Sequence, residues 1–331
     1  MSFSRRTLAG REVNPIGLGC MSLSWAYGTP PSEADGTRVL ERALELGYDN
    51  FDTARIYGLG HNETLIGKAL SRHRDKFLLS SKTGIIVEGS KRRIDCTPET
   101  IRNAVERSLE LLQTDHIDLY YLHRRDFNVP IEDSVGALAD LIREGKIGAI
   151  GLSEMSADTL RKAAAVHPIA AMQTEYSLMT RNPEIAVLEA CRELGTTFVA
   201  FSPVGRGLLA NPALDPENLP ERDLRHSMPR FQEDNFPANA ALAKEFGAIA
   251  AREGVTPAQL SLAWVLSRGP HVVAIPGTSS LAHLEENIAQ WDWEPSDDLV
   301  AELDALINRE TVAGPRYNAI TQRAIDTEEF A

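Results

Sequence analysis

The sequence predicts an α/β protein built as a (β/α)8 TIM barrel, and three observations point to it. Short β-type runs alternate with amphipathic helical stretches from Ile16 almost to the C-terminus, the rhythm of parallel β/α units. Several of those runs are continuously apolar, as strands covered on both faces should be. The first run lacks a Gly-x-Gly-x-x-Gly at its end, because Gly17 and Gly19 lead only into Cys20 and Met21. The alternation by itself suits an open doubly wound sheet as well; the missing fingerprint favours the closed barrel.

The eight strand candidates are 16–19, 48–52, 77–81, 117–122, 147–152, 170–174, 197–201 and 272–275. Helix starts are marked by Ser32 before Glu33, Asn62 before Glu63, Thr97 before Pro98 and Thr256 before Pro257. Helix ends are marked by Gly47, Gly145 and Gly195, which can take the left-handed conformation past a last turn. Residues 4–14 read as an N-terminal hairpin turning at Ala9-Gly10 and capping the closed end of the barrel, with Arg5 and Arg6 on its exposed face. Two irregular stretches, 205–239 and the C-terminal tail 310–331, are long loops for the C-terminal face, of the length expected of lids or mobile segments. With no internal repeat and no low-complexity linker, one domain spanning 1–331 is the simplest organisation.

Composition narrows the function classes. Hydrophobic residues make up 43% and charged residues 24% of the 331, enough apolar material for a large core. A formal net charge of −13 argues against a nucleic-acid partner, and the run Lys91-Arg92-Arg93 is too short to reverse it and reads as a solvated loop. Cys20, Cys96 and Cys191 are odd in number and widely spaced, without a CxxC or a matching His cluster, so neither a disulfide framework nor a metal site is expected. No segment has the length of apolar residues a membrane span needs, and Arg5-Arg6 is followed by polar residues unlike a secretory signal; a cytoplasmic location is the expectation.

Chemistry gathers at the strand ends. Asp52, Tyr57, Lys82 and His123 fall at or just past the C-terminal ends of consecutive strands, which in a barrel open onto one face. Each alone has an ordinary explanation, a loop cap, a rim aromatic, a solvated lysine or a satisfied imidazole; their joint placement is the signal. A carbonyl that accepts a hydride becomes an alkoxide and needs a proton or positive charge at oxygen. Tyr57 can supply the proton, Lys82 is expected to lower its pKa, Asp52 to keep that ammonium charged, and His123 to hydrogen-bond the oxygen.

In these residues the chain resembles the aldo-keto reductase family. The likeness runs in order through Phe51-Asp52-Thr53-Ala54, Tyr57-Gly58, Asn62-Glu63, Ser81-Lys82-Thr83-Gly84, Leu122-His123-Arg124, Gly151-Leu152-Ser153, Gln173 to Ser177, Phe201-Ser202-Pro203, Ile275-Pro276-Gly277-Thr278 and Glu286-Asn287. The resemblance implies an NADP(H)-dependent oxidoreductase that interconverts a small carbonyl compound and an alcohol, with Tyr57 as general acid/base. It implies that Ser153 and Gln173 bond the nicotinamide carboxamide and that Phe201 stacks on the ring. Ser202, Pro203 and Val204 would then lie along the pyrophosphate, and Glu286 and Asn287 near the adenine. The loop from Gly277 leads into a helix over 281–290 whose N-terminus favours a phosphate.

This chain departs from the family pattern twice. Glu154 stands where many relatives have Asn, and Ser279, Ser280 and His283 stand where many carry Lys or Arg for the adenosine phosphate. Arg206, Arg222, Arg225 and Arg230, in the loop after the seventh strand, are the candidate replacement cations. Substrate contacts are implied for Trp25 and Tyr27, although packing of the rim explains Trp25 equally well. Arg316 and Tyr317 could close over the pocket or sit in a disordered tail, and Arg124 is expected in a structural ion pair. Two other activities fit the same residues: a cofactor-binding regulatory or sensor subunit with little turnover, and a barrel aldolase with Lys82 as Schiff-base nucleophile.

Overall fold

The computed structural model describes residues 4–89, 91–211, 214–289 and 293–330. Among them, eight parallel strands form one sheet: β3 (Leu18–Gly19), β4 (Asn50–Asp52), β5 (Leu78–Thr83), β8 (Ile117–Leu122), β9 (Ile147–Ser153), β10 (Ile169–Glu175), β11 (Thr197–Phe201) and β12 (Val272–Ile275). Parallel bridges Ile16 to Ala274 and Gly19 to Gly277 join the first strand to the last, so the sheet closes into the expected barrel.

The N-terminal hairpin, β1 (Arg6–Leu8) and β2 (Arg11–Val13), caps the closed end. Its Leu8 and Val13 pack with Leu78, Leu119, Tyr121, Ala171, Val199 and Val273 in an inner core, while a larger core lies between the strands and the helices. Arg6 corrects the sequence expectation. It is buried rather than exposed, and its guanidinium donates to the carbonyls of Leu266 (2.8 Å), Gly269 (2.9 Å) and Val272, pinning the hairpin to the last strand.

Helix caps mostly follow the sequence. Ser32 caps α1 (Glu33–Glu45), Thr97 caps α3 (Pro98–Leu112), and Thr256 with Gln259 forms a capping box on α8 (Pro257–Leu266). Asn62 is not a cap. Gly60, at φ 97°, starts α2 (His61–Leu70) two residues earlier than expected. That frees the Asn62 side chain to donate to Cys20 O and Ser24 Oγ, both at 2.8 Å, and to accept from Thr53 Oγ1 at 2.6 Å, stitching together the loops beneath Tyr57.

The sequence did not reveal a second hairpin, β6 (Ile85–Glu88) with β7 (Lys91–Ile94), so Lys91-Arg92-Arg93 is a strand and not an irregular loop. Among the described residues, the stretch from 205 carries several short 3-10 turns before α7 (Phe236–Arg252). The helix expected over 281–290 is α9 (Leu281–Ala289); Gln290 lies outside the described residues, as does Ala331 at the end of the tail. No helix among the described residues is long and apolar enough to cross a membrane.

One glycine on the inner wall is required by packing. A Cβ built on Gly151 of β9 would lie 2.3 Å from the ring of Tyr121 on neighbouring β8, so the aromatic lies directly over the strand. Adding a methyl group there forces the ring or the strand to move.

Candidate active site

Parallel strands with both faces covered carry few polar residues, and those at their C-terminal ends converge on one mouth. Asp52 ends β4, Lys82 lies within β5 one residue before its end, and His123 directly follows β8. Tyr57 enters from the loop after β4, where its backbone N–H donates to Ala54 O at 3.0 Å in a tight turn.

The four come together. Lys82, fully buried, is ion-paired with Asp52 Oδ1 and donates a second bond to Thr53 O at 2.7 Å. Its ammonium stands 5.3 Å from the centre of the Tyr57 ring and 5.6 Å from that of Tyr121, a cation between two aromatic faces. The rings of Tyr57 and His123 meet edge to face with centroids 5.9 Å apart. Gln173 of β10 donates to the other oxygen of Asp52 at 2.8 Å.

Burial presses Asp52 and Lys82 toward neutrality, raising the one and lowering the other, and their mutual attraction opposes it. Burial also lowers the His123 imidazole well below its usual range, reinforced by Arg124, Lys82 and Arg92, so the ring is neutral at neutral pH. For Tyr57 the direction runs against the sequence expectation. Burial, joined by the Asp52 carboxylate, pushes its phenol well above the usual value, and the cation that chiefly counters this is Arg124.

Arg124 is the residue that sequence reasoning placed wrongly. Among the described residues no carboxylate lies within ion-pairing distance of it. It donates instead to its neighbour's carbonyl, His123 O, at 2.6 Å and reaches Ser153 Oγ at 3.4 Å.

The next layer is a buried charge network that joins three loops. Glu154, at φ 55°, pairs with Arg316, accepts from Thr327 Oγ1 at 2.8 Å and accepts from the backbone of Glu175 at 2.9 Å. The tail is therefore docked, with Arg316 and Tyr317 both buried. Arg206, expected to serve a cofactor phosphate, is engaged elsewhere: it holds both oxygens of Glu175, at 3.0 and 2.6 Å, and donates to Tyr27 Oη at 2.7 Å and Tyr317 Oη at 2.8 Å. Burial opposes ionisation of Glu175, yet Arg206 and Arg316 outweigh it and hold that carboxyl below its usual range. Of the other loop cations, Arg225 is paired with Asp223, and Arg230 donates to Thr180 Oγ1 at 2.7 Å. Glu175 had no signal in the sequence beyond its place at a strand end.

Features that fit a dinucleotide lie along β9 to β12. Ser153 and Gln173 are buried at adjacent strand ends, and Phe201 is half-buried at the next. Ser202 (φ 50°) and Arg206 (φ 58°) hold the left-handed conformation on either side of Pro203 and Val204, turning the backbone as a close-fitting cradle would. Ser22 Oγ is buried without a partner, 3.4 Å from where a Cβ on Gly277 would stand. Ser279 and His283 are exposed around the start of α9, where His283 N donates to Ser280 Oγ at 3.4 Å; Glu286 is half-buried and Asn287 buried one turn further on. Trp25 and Tyr27 are half-buried in the loop after β3, which is tied to the later loop by Gly28 N donating to Asp223 at 2.7 Å.

Comparison with known proteins identifies the family and the fold. Residues 15–308 match the model of the aldo/keto reductase family. A Glycine max protein named probable aldo-keto reductase 1 is 43% identical over 310 residues, covering 93% of this chain and 89% of its own length. Among solved structures, a glycerol dehydrogenase from Gluconobacter oxydans superposes with a TM-score of 0.85 at 28% identity, over 95% of this chain and 98% of that one. An aldo-keto reductase from Klebsiella pneumoniae, in complex with NADP and acetate, superposes with a TM-score of 0.73 at 26% identity, over 99% and 100%.

Proposed function

Since this chain belongs to the aldo/keto reductase family, we propose that it interconverts an aldehyde or ketone and the corresponding alcohol with NADP(H), Tyr57 acting as general acid/base. The observation that carries the reading is the buried Asp52–Lys82 pair beside the Tyr57 and His123 rings at the barrel mouth. NADP and NADPH are the molecules bound in two solved Klebsiella pneumoniae relatives, which supports the phosphorylated cofactor here.

Ser153 and Gln173 would hold the carboxamide, Phe201 would stack on the ring, and Ser202, Pro203 and Val204 would line the pyrophosphate. Gly277, Ser279, His283, Glu286 and Asn287 would receive the adenosine end. When bound, the reduced cofactor supplies the hydride. The protein's own part is at oxygen. The Tyr57 hydroxyl gives its proton to the developing alkoxide, neutral His123 donates a ring N–H to the same atom, and Lys82 stabilises the phenolate left behind. Asp52 keeps the ammonium charged and fixed.

A Schiff-base role for Lys82 fits less well, because its nitrogen is fully buried and bonded to Asp52 and Thr53. The test is multiple-turnover assay of aldehydes, ketones and secondary alcohols with NADPH and NADH. Catalytic turnover of a carbonyl supports the reading. A cofactor that stays bound without turnover across the panel would replace it with a sensor subunit.

A further inference from the structure

Resting on that reading, we propose that the preferred carbonyl substrates carry an anionic group, a carboxylate or a phosphate, held at the mouth of the site by Arg92 and Arg124. The placement is the first observation. Arg124 follows His123, lies beside Ser153, and its charge acts on Tyr57, Lys82 and His123. Arg92 lies in β7 opposite Val87, on the hairpin that follows β5; its charge acts on His123, and Arg124 acts on it. The two arginines therefore stand on segments that follow two adjacent strands and touch each other, Cys96 just past the hairpin donating to Arg124 O at 3.5 Å and to Asp126 at 3.0 Å.

The second observation is that neither is neutralised. Among the described residues no carboxylate pairs with Arg92 or Arg124, whereas the arginines around them are answered: Arg93 by Glu88 and Asp95, Arg206 by Glu175, Arg316 by Glu154. The nearby carboxylates are engaged too. Asp52 holds Lys82, and Asp126 accepts from the backbone of Cys96 at 3.0 Å and of Asn128 at 2.9 Å. In a chain of net charge −13, two neighbouring cations without a counter-ion repel each other, and desolvation together with the charge of Arg124 holds Arg92 below its usual value. An entering anion relieves that repulsion, and guanidiniums are the side chains best shaped to take carboxylates and phosphates in paired hydrogen bonds.

The third is topology. The segments that fit the cofactor phosphates follow β11 and β12, whereas Arg92 and Arg124 follow β5 and β8, three or more strands away in the order β12-β11-β10-β9-β8-β5. That leaves these two cations for the substrate.

The experiment compares kcat/KM for matched pairs, succinic semialdehyde against butanal and glyceraldehyde 3-phosphate against glyceraldehyde. It is run with the full chain and NADPH, for wild type, Arg92→Met, Arg124→Met and the double variant. Wild type should prefer a charged member by about 10- to 100-fold, from bonds to charged groups. The preference should shrink with added salt, and each variant should cut it by about 10-fold. A preference confined to the carboxylate pair or to the phosphate pair supports the proposal and identifies the group.

Equal kcat/KM within both pairs in wild type overturns it, as does an unchanged preference in the double variant. A weaker NADPH affinity in Arg124→Met with the preference intact also overturns it, by assigning that residue to the cofactor. The wild-type comparison and the exposed Arg92 variant keep the test valid if Arg124→Met does not fold. If no carbonyl is turned over at all, the proposed activity itself fails, and the inference with it.

Discussion

The Lys82 ammonium lies 5.3 Å from the centre of the Tyr57 ring, yet among the described residues it donates to Asp52 and the Thr53 carbonyl and not to the Tyr57 hydroxyl. The lysine is thus held over the face of the phenol ring by its partners, while the cation that chiefly offsets the phenol's rise is Arg124. Tyr57→Phe should lower kcat by about 10²- to 10⁴-fold, the usual worth of a general acid. Its NADPH dissociation constant should change little, since the hydroxyl is assigned to the substrate oxygen and not to a cofactor contact. Steady-state kinetics with a parallel fluorescence titration checks this; near-wild-type kcat would remove Tyr57 from the role.

Asp52 and Lys82 are buried together, and removing one leaves the other without its counter-charge. Asp52→Asn should cost about 3 to 5 kcal/mol of stability, the usual penalty for breaking a buried pair, as well as activity. Lys82→Met should leave the Asp52 carboxylate unopposed near Tyr57, raising the phenol further. The alkaline limb of alcohol oxidation should then move to higher pH, which pH-rate profiles of the variant would reveal.

The wild-type pH dependence follows from the same directions. Tyr57 is raised, so it stays protonated as the acid at neutral pH, and His123 is lowered, so it stays neutral there. Reduction should be flat between roughly pH 6 and 8 and decline only where the phenol ionises. Oxidation, which needs the phenolate, should rise with pH. An inflection in reduction near the ordinary histidine value would show that His123 titrates in the working range.

Arg316 is 162 residues from Glu154 and closes the tail over it. In a double-mutant cycle of Glu154→Gln and Arg316→Met, the two should couple by about 1 to 3 kcal/mol in urea unfolding. Hydrogen exchange in the tail should speed up in either single variant. Strict additivity with an unchanged tail would mean that the pair does not hold it.

NADPH should bind more tightly than NADH, by a modest factor of about 3 to 10, because the adenosine phosphate meets helix amides, Ser279 and His283 and not a dedicated cation. Competitive titration at one salt concentration decides it; equal or reversed constants would favour NAD(H).

What the sequence revealed, and what it hid, divides by distance along the chain. The strands were legible because burial on both faces writes a local apolar run, and Asp52, Lys82 and His123 were legible because each sits where such a run ends. Arg6 was misread because which face of a short hairpin meets the barrel is decided by β12, more than 250 positions away in sequence order, as its bond to Val272 shows with a separation of 266. Asn62 looked like a cap, but Gly60 can adopt the positive φ that starts the helix earlier. The pairing of Glu154 with Arg316 and the place of Arg92 had no local signature. A charged residue in a loop reads as solvated until its distant partner, or its lack of one, is known.

The Tyr121 ring packed against Gly151 leaves the inner wall beneath the Lys82 ammonium without slack. New substrates can therefore be accommodated only from above, by redrawing the segments after β3 and β5 and the tail. Libraries aimed at altering scope should vary residues such as Trp25, Arg92 and Tyr317 and leave the staves of the barrel untouched.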